Sequence, residues 1–167
     1  LAREEGKADP PIVIGYARRF LSEVSSRWIA SVLAAQGIGA ILVNRSTPTP
    51  LIMFLTQHYG HHYGLEVTAS HNPASYNGIK LIVEEGRDAP LETTARMEEL
   101  LAEDAELDIP TIPLEEGEKA GLITYLRAPF NDFIDHILSK LNQPLIRERG
   151  LRILFDPMHG SGIYPIT

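Results

Sequence analysis

The apolar residues of this chain follow two different periods. Short, nearly continuous apolar runs occur at Pro11-Ile12-Val13-Ile14-Gly15, Ala40 to Val43, Leu65 to Ala69 and Ile79 to Val83. Glycine, proline or asparagine bounds most of them, as expected of buried β-strands. Between the runs the spacing becomes helical. Ser22 is a good N-cap for a helix in which Val24, Trp28, Val32 and Ala35 line one face, joined by Ile29 and Leu33, with Gly37 as terminator. Thr49 and Pro50 suit the N-cap and first position of a second helix, on which Leu51, Phe54, Leu55 and His58 share a face. A third helix is predicted from about Leu91 to Glu103, with Leu91, Ala95 and Leu101 among its apolar positions. Phe130, Phe133, Ile134, Ile137, Leu138 and Leu141 form the clearest helical stripe, which Pro144 ends. The stretch from Asp104 to Gly121 is acidic, carries Pro110 and Pro113, and reads as an irregular surface connection.

Strands that alternate with helices predict an α/β fold: a mixed, mostly parallel four-stranded sheet between helices. Leu151 to Asp156 is one further strand signal, followed by "PMHGSG". It either completes the first sheet or opens a second, similar domain. The second arrangement is the expectation: residues 1–145 form the first domain and residues 146–167 the start of the next. No internal repeat is evident.

Composition narrows the functional classes. Hydrophobic residues make up 44% of the 167 positions, enough for a core. The formal net charge of -7 argues against nonspecific nucleic-acid binding, which needs clustered positive charge. It leaves room for a small anionic ligand in a locally positive pocket. Cysteine is absent, so neither disulfides nor thiolate metal sites form. No apolar run approaches the roughly 18 residues of a membrane helix, and the first residues lack the apolar core of a signal peptide. These features predict a cytoplasmic protein with no membrane partner.

The candidate chemistry lies in "TASHNPASYNGIK", residues 68–80. Ser70 ends an apolar strand, where α/β proteins expose functional loops. Asn72-Pro73 and Asn77-Gly78 are turn formers, so the segment is a compact loop. A serine hydroxyl is a weak nucleophile that needs an activating neighbour or a group already attached. His71 is adjacent, but neighbouring side chains need not meet, and neither "GxSxG" nor "SxxK" surrounds Ser70. A phosphorylated serine suits the surroundings better. It carries nearly two negative charges and three acceptor oxygens, which loop N–H groups, Lys80 and a nearby arginine can satisfy. Such a residue can donate its phosphoryl group, a reaction run mainly by positioning and charge neutralisation.

The same stretch resembles the phosphoserine signature of the α-D-phosphohexomutases, the phosphoglucomutase/phosphomannomutase family. "GYARRFLSE" (15–23), "TPTP" (47–50) and "FDPMHGSG" (155–162) resemble further family segments, so the likeness runs over nearly the whole chain. It implies an isomerase of four domains that interconverts hexose 1- and 6-phosphates. The serine would phosphorylate the sugar, giving a bound 1,6-bisphosphate such as glucose 1,6-bisphosphate, and take back the other phosphate after the sugar turns. By this resemblance Ser70 is the phosphoserine and, through its phosphate, a ligand of Mg2+ shared with aspartates of a second-domain loop. Lys80 would neutralise the transferring phosphoryl group and help move the proton. His71 and Asn72 would shape the site, His71 as a catalytic residue, and Asn72 and Arg19, which would lie near the loop, would bind substrate or phosphate.

Several features depart from the pattern. Ala17 stands where the family commonly has Asp, and the metal, sugar-reading and fourth-domain phosphate loops are not in this sequence. The expectation is therefore a phosphoserine domain that has no mutase turnover alone. The competing expectation is a non-catalytic α/β domain that binds a phosphosugar or a partner. Elsewhere, His58, His61 and His62 have metal-ligand spacing, but Gly60 interrupts them, and solvated histidines at a helix end are the simpler reading. "HGSG" (159–162) reads first as a strand-to-helix turn and second as a phosphate cradle. The glutamate pairs at 98–99 and 115–116 read as solvated faces, and Met53 and Phe54 as core.

Overall fold

In the computed structural model, which describes residues 1–103 and 108–166, the four predicted strands form as β1 (Ile12–Tyr16), β2 (Ala40–Val43), β3 (Tyr63–Val67) and β4 (Ile79–Val83). Two more join them, β5 (Arg87–Asp88) and β6 (Ile123–Leu126), so the sheet has six strands in the order β5-β4-β3-β1-β2-β6. The pairs β1–β2, β1–β3 and β2–β6 are parallel, while β3–β4 and β4–β5 are antiparallel. The sheet is thus mixed and mostly parallel, as expected, with two more strands. β6 escaped notice because it is an edge strand behind an acidic, proline-containing stretch, and only Ile123 of its four residues is buried. That stretch also carries a short helix, α4 (Leu114–Lys119), while Asp104 to Leu107 lie outside the described residues.

Helices cover both faces. α1 (Ser22–Ala35), with α4 and the Met97 side chain of α3 (Leu91–Glu103), closes one core around Ile12, Ile14, Ala30, Ala34 and Leu42. α2 (Thr49–His58) and α5 (Pro129–Lys140) close the other around Val13, Leu51, Ile52, Leu55, Ile82 and Phe130. Met53 and Phe54 pack against this second core, as expected. The α5 stripe splits: Phe130, Phe133 and Ile134 pack, whereas Ile137, Leu138 and Leu141 are partly exposed. Leu91, Ala95 and Leu101 of α3 all face solvent, so its expected apolar face is not the buried one.

α1 departs most from its pattern. The buried side carries Ser22, Ser26, Ala30, Ser31 and Ala34, while Trp28 on the predicted face is 62% exposed. The buried side chains are small, and the hydroxyls find carbonyls. Ser26 Oγ donates to Glu23 O at 2.7 Å, and Ser31 Oγ donates to Ile112 O. Val32, Trp28 and Ile29 instead line an apolar groove that also touches Val67 and Ile79. Helix starts shift as well. Leu21, in left-handed backbone, precedes α1, and Ser22 makes no capping bond; Pro48 occupies the N-cap of α2, ahead of Thr49. Gly37 does terminate α1, with φ 71 and its N–H on Ala34 O.

After α6 (Gln143–Glu148) the chain leaves the layers. Leu151 to Asp156 pairs with no strand among the described residues, and Leu154 is 98% exposed. A lone strand cannot satisfy its own backbone, so the predicted strand is absent here. The chain then returns through residues 157–162 to α7 (Ile163–Ile166), beside the ends of β1 and β2. Among the described residues no helix is long and apolar enough to cross a membrane.

Candidate active site at the carboxyl edge of the sheet

β1 connects through α1 to β2 on one side, and β2 connects through α2 to β3 on the other side of β1. The sheet therefore reverses between β1 and β3, where a crevice opens at the carboxyl ends of parallel strands. Ser70 and Arg19 both line it. β1 and β3 stay paired to their ends, with Ala17 N–H donating to Val67 O at 3.0 Å. Thr47, leading into α2, donates its N–H to Tyr16 O at 2.8 Å, and Thr68 donates its own to Gly78 O at 2.9 Å. These bonds fix the three chain segments that frame the Ser70 loop.

Arg19 holds the loop in shape. Its Nε donates to Tyr76 O (3.0 Å), Nη1 to Ser70 O (3.1 Å), and Nη2 to Asn72 O (2.7 Å) and Pro73 O (2.5 Å). A guanidinium has five N–H groups, so one remains for anything else. Asn77 adds a second tether, donating from Nδ2 to Phe20 O and Ser22 Oγ, both at 3.0 Å. Asn72 N–H donates to Ala69 O and Tyr76 N–H to Pro73 O, as turn formers at these positions should allow.

Ser70 sits in left-handed backbone at φ 53, which L-residues seldom adopt. Its N–H donates to Thr68 Oγ1 at 3.1 Å, and its hydroxyl is exposed to the crevice. The hydroxyl lies 3.3 Å from His71 Nδ1, a long contact for an O–H donor. The two side chains do meet, although adjacency alone did not require it. Lys80 is not at the hydroxyl: its ammonium pairs with Asp88, 3.2 Å away.

Beneath the loop lies a residue that the sequence reading passed over. Glu66 on β3 is fully buried on the face covered by α2, directly opposite Lys80 of β4. Its carboxylate accepts from Thr47 Oγ1 at 3.2 Å and occupies space that a side chain at Gly15 would fill. Burial pushes its pKa up to about 8, against the opposing effects of the Thr47 bond and the Lys80 charge. The signal was present: a charged residue inside an otherwise apolar strand. Glu66, Thr47, Thr68 and Ser70 line a crevice of about 430 Å³, closed on the far side by Met158 to Ser161. The "HGSG" turn is therefore part of the site's wall.

Among the described residues no group of three His, Cys, Asp or Glu side chains could hold a metal ion. His58, His61 and His62 diverge. His58 stacks on Phe54, His62 binds Glu84 Oε2 at 2.7 Å, and His61 is buried with its Nδ1 unpartnered. The expectation of solvated histidines therefore fails for His61, whose pKa burial lowers.

Comparison with known proteins places the chain among relatives. Residues 1–108 match the family described as phosphoglucomutase/phosphomannomutase, alpha/beta/alpha domain I. A phosphoglucosamine mutase of Caldanaerobacter subterraneus subsp. tengcongensis is 31% identical over 157 residues, covering 94% of this chain and 33% of that protein. A Staphylococcus saprophyticus phosphoglucomutase is 40% identical over 93 residues, covering 56% of this chain and 17% of its own. A crystal structure of a Thermus thermophilus protein, described as a phosphomannomutase, superposes with a TM-score of 0.63 at 26% identity, covering 78% of this chain and 27% of that one. The chain thus spans about a third of the length of the curated relatives it matches over most of its residues. On the strength of the family match over most of its length, the chain belongs to the phosphoglucomutase/phosphomannomutase family.

Proposed function

We propose that this chain supplies the phosphoserine side of an active site that interconverts hexose 1- and 6-phosphates. Phosphorylated Ser70 gives its phosphoryl group to a free sugar hydroxyl. The Ser70 Oγ–P bond breaks, the new O–P bond forms, and the hydroxyl proton is taken up as Oγ leaves. The resulting 1,6-bisphosphate turns, and Ser70 Oγ attacks the other phosphate: the sugar O–P bond breaks, the Oγ proton passes to the leaving sugar oxygen, and the phosphoserine is restored. The observation that carries this reading is the Arg19-tethered loop, which presents Ser70 in strained backbone at the crevice between β1 and β3. His71 beside Oγ is placed to exchange a proton with it. Lys80 acts on the transferring group only after leaving Asp88. Arg19 and Asn72 serve the loop through its carbonyls.

Magnesium would neutralise charge on the phosphoryl oxygens. Ser70, once phosphorylated, would offer it one ligand, and among the described residues no group of three His, Cys, Asp or Glu side chains could supply the rest. Within this proposal residues 1–145 are the first domain, residues 146–167 open a second, and the protein works in the cytoplasm. Glucose, mannose and glucosamine phosphates are all open as substrates.

One observation favours a second reading, a non-catalytic phosphosugar-binding domain: Ala17 leaves the loop without a carboxylate the family commonly supplies. Intact-mass measurement separates the two. Full-length protein incubated with glucose 1,6-bisphosphate is expected to gain one phosphate, mapped to Ser70 and lost in Ser70→Ala. No gain would favour the binding domain. The 167-residue chain alone is expected to show no conversion of glucose 1-phosphate.

A further inference from the structure

β1 runs into two consecutive arginines with opposite uses. Arg19 gives four of its five N–H groups to the Ser70 loop. Arg18 turns towards the β2 side, where its guanidinium carbon lies 5.9 Å from the ring centroid of Tyr164. Arg45, from the loop after β2, lies 5.2 Å from the same centroid. Neither guanidinium has a hydrogen bond or ion pair among the described residues, although the chain carries 22 acidic residues. Glu23 lines the same cleft, but it is bonded to Arg27 at 2.8 Å. Two cations brought to one ring with no carboxylate between them repel each other. Stacking on a phenol offsets this only weakly at an exposed site. The arrangement has the charge and donors for an anion.

The cleft measures about 450 Å³ and is mainly polar. Asn44 and Ser46 add an amide and a hydroxyl to its wall, and Arg18 and Arg19 are shared with the Ser70 crevice next to it. Two guanidinium forks supply more N–H donors than one carboxylate accepts, and they suit the three terminal oxygens of a phosphate monoester. The volume exceeds what a bare phosphate fills and leaves room for the carbon skeleton it is attached to.

We infer that Arg18, Arg45 and Tyr164 form a second anion subsite, beside the Ser70 crevice, that takes the phosphate group of a phosphate monoester. That the ester is a sugar phosphate rests on the function proposed above; the anion site does not.

The test follows the side-chain Nε–Hε resonances of Arg18 and Arg45 in full-length Ser70→Ala protein, titrated separately with inorganic phosphate and with glucose 6-phosphate. Both resonances are expected to shift together and saturate, with the sugar phosphate binding at least tenfold more tightly. Arg45→Gln should weaken the Arg18 response at least tenfold, and Arg45→Lys should restore part of it. Arg45 is exposed, so unchanged thermal unfolding of both variants shows that the fold is kept. Resonances that stay still with either ligand at millimolar concentration overturn the subsite. Equal affinity for the two ligands overturns the ester and leaves free phosphate as the ligand. A failure of Ser70 to accept phosphate refutes the proposed function and leaves this titration unaffected.

Discussion

The two sides of β1's carboxyl end are built on opposite principles. Towards β3, polar groups are matched: Arg19 meets four carbonyls, Asn77 meets a carbonyl and a hydroxyl, and Glu66 is buried with Thr47. Towards β2, Arg18 and Arg45 share a ring and have no acceptor among the described residues. One side uses its charge to hold the chain; the other keeps its charge available. The same residue type thus serves as scaffold or as ligand-binding group according to what its five donors face.

The largest expected effect probes the buried carboxyl on the matched side. Folding raises the pKa of Glu66 to about 8. Between the ordinary carboxylate range and that value, the folded chain keeps a proton that the unfolded chain releases. Stability is therefore highest at the acid end of this window and falls as pH rises towards 8, by up to about 1.4 kcal/mol per pH unit. Glu66→Gln should flatten that slope in urea unfolding curves taken from pH 5 to 8.5. A slope unchanged in the variant would mean that Glu66 is not the group responsible.

Next comes the contrast between neighbours. Arg19→Met removes four bonds to carbonyls and should cost about 2–3 kcal/mol, allowing for the partial exposure of the side chain. It should also slow phosphate uptake at Ser70 at least a hundredfold. Arg18→Met should stay within about 0.5 kcal/mol in the same unfolding experiment. Equal losses for the two variants would dissolve the distinction between the sides.

The helix that joins the two sides offers a smaller test. Ala34→Leu crowds a position where α1 lies close to the sheet, and should cost about 1–3 kcal/mol. Trp28→Ser, on the exposed face, should move the urea midpoint least, by no more than about 0.5 kcal/mol.

Much of this was legible in the residues. The four strand runs, the helices that follow them and the Ser70 loop lie where the apolar periods and turn formers put them. The failures have physical causes. On α1 the larger apolar residues suggest the buried face, but the face that is buried carries small residues, and serines with local carbonyl partners qualify. β6 is an edge strand with one buried residue, too little for a period to register. Glu66 was visible as a letter, but its meaning depends on Gly15 and Thr47, which are distant in sequence and adjacent only once β1, β2 and β3 are side by side. The same holds for Arg18 and Arg45, which Tyr164 brings together from more than a hundred residues away.

Gly15 carries one more consequence. A Cβ at this position would run into the Glu66 carboxylate and into Ile52. Positions 15, 52 and 66 therefore share one volume. In a set of related sequences they should vary together: a side chain gained at 15 is tolerable only where both 52 and 66 have given way. A library that randomises all three together should recover combinations that no single position accepts alone.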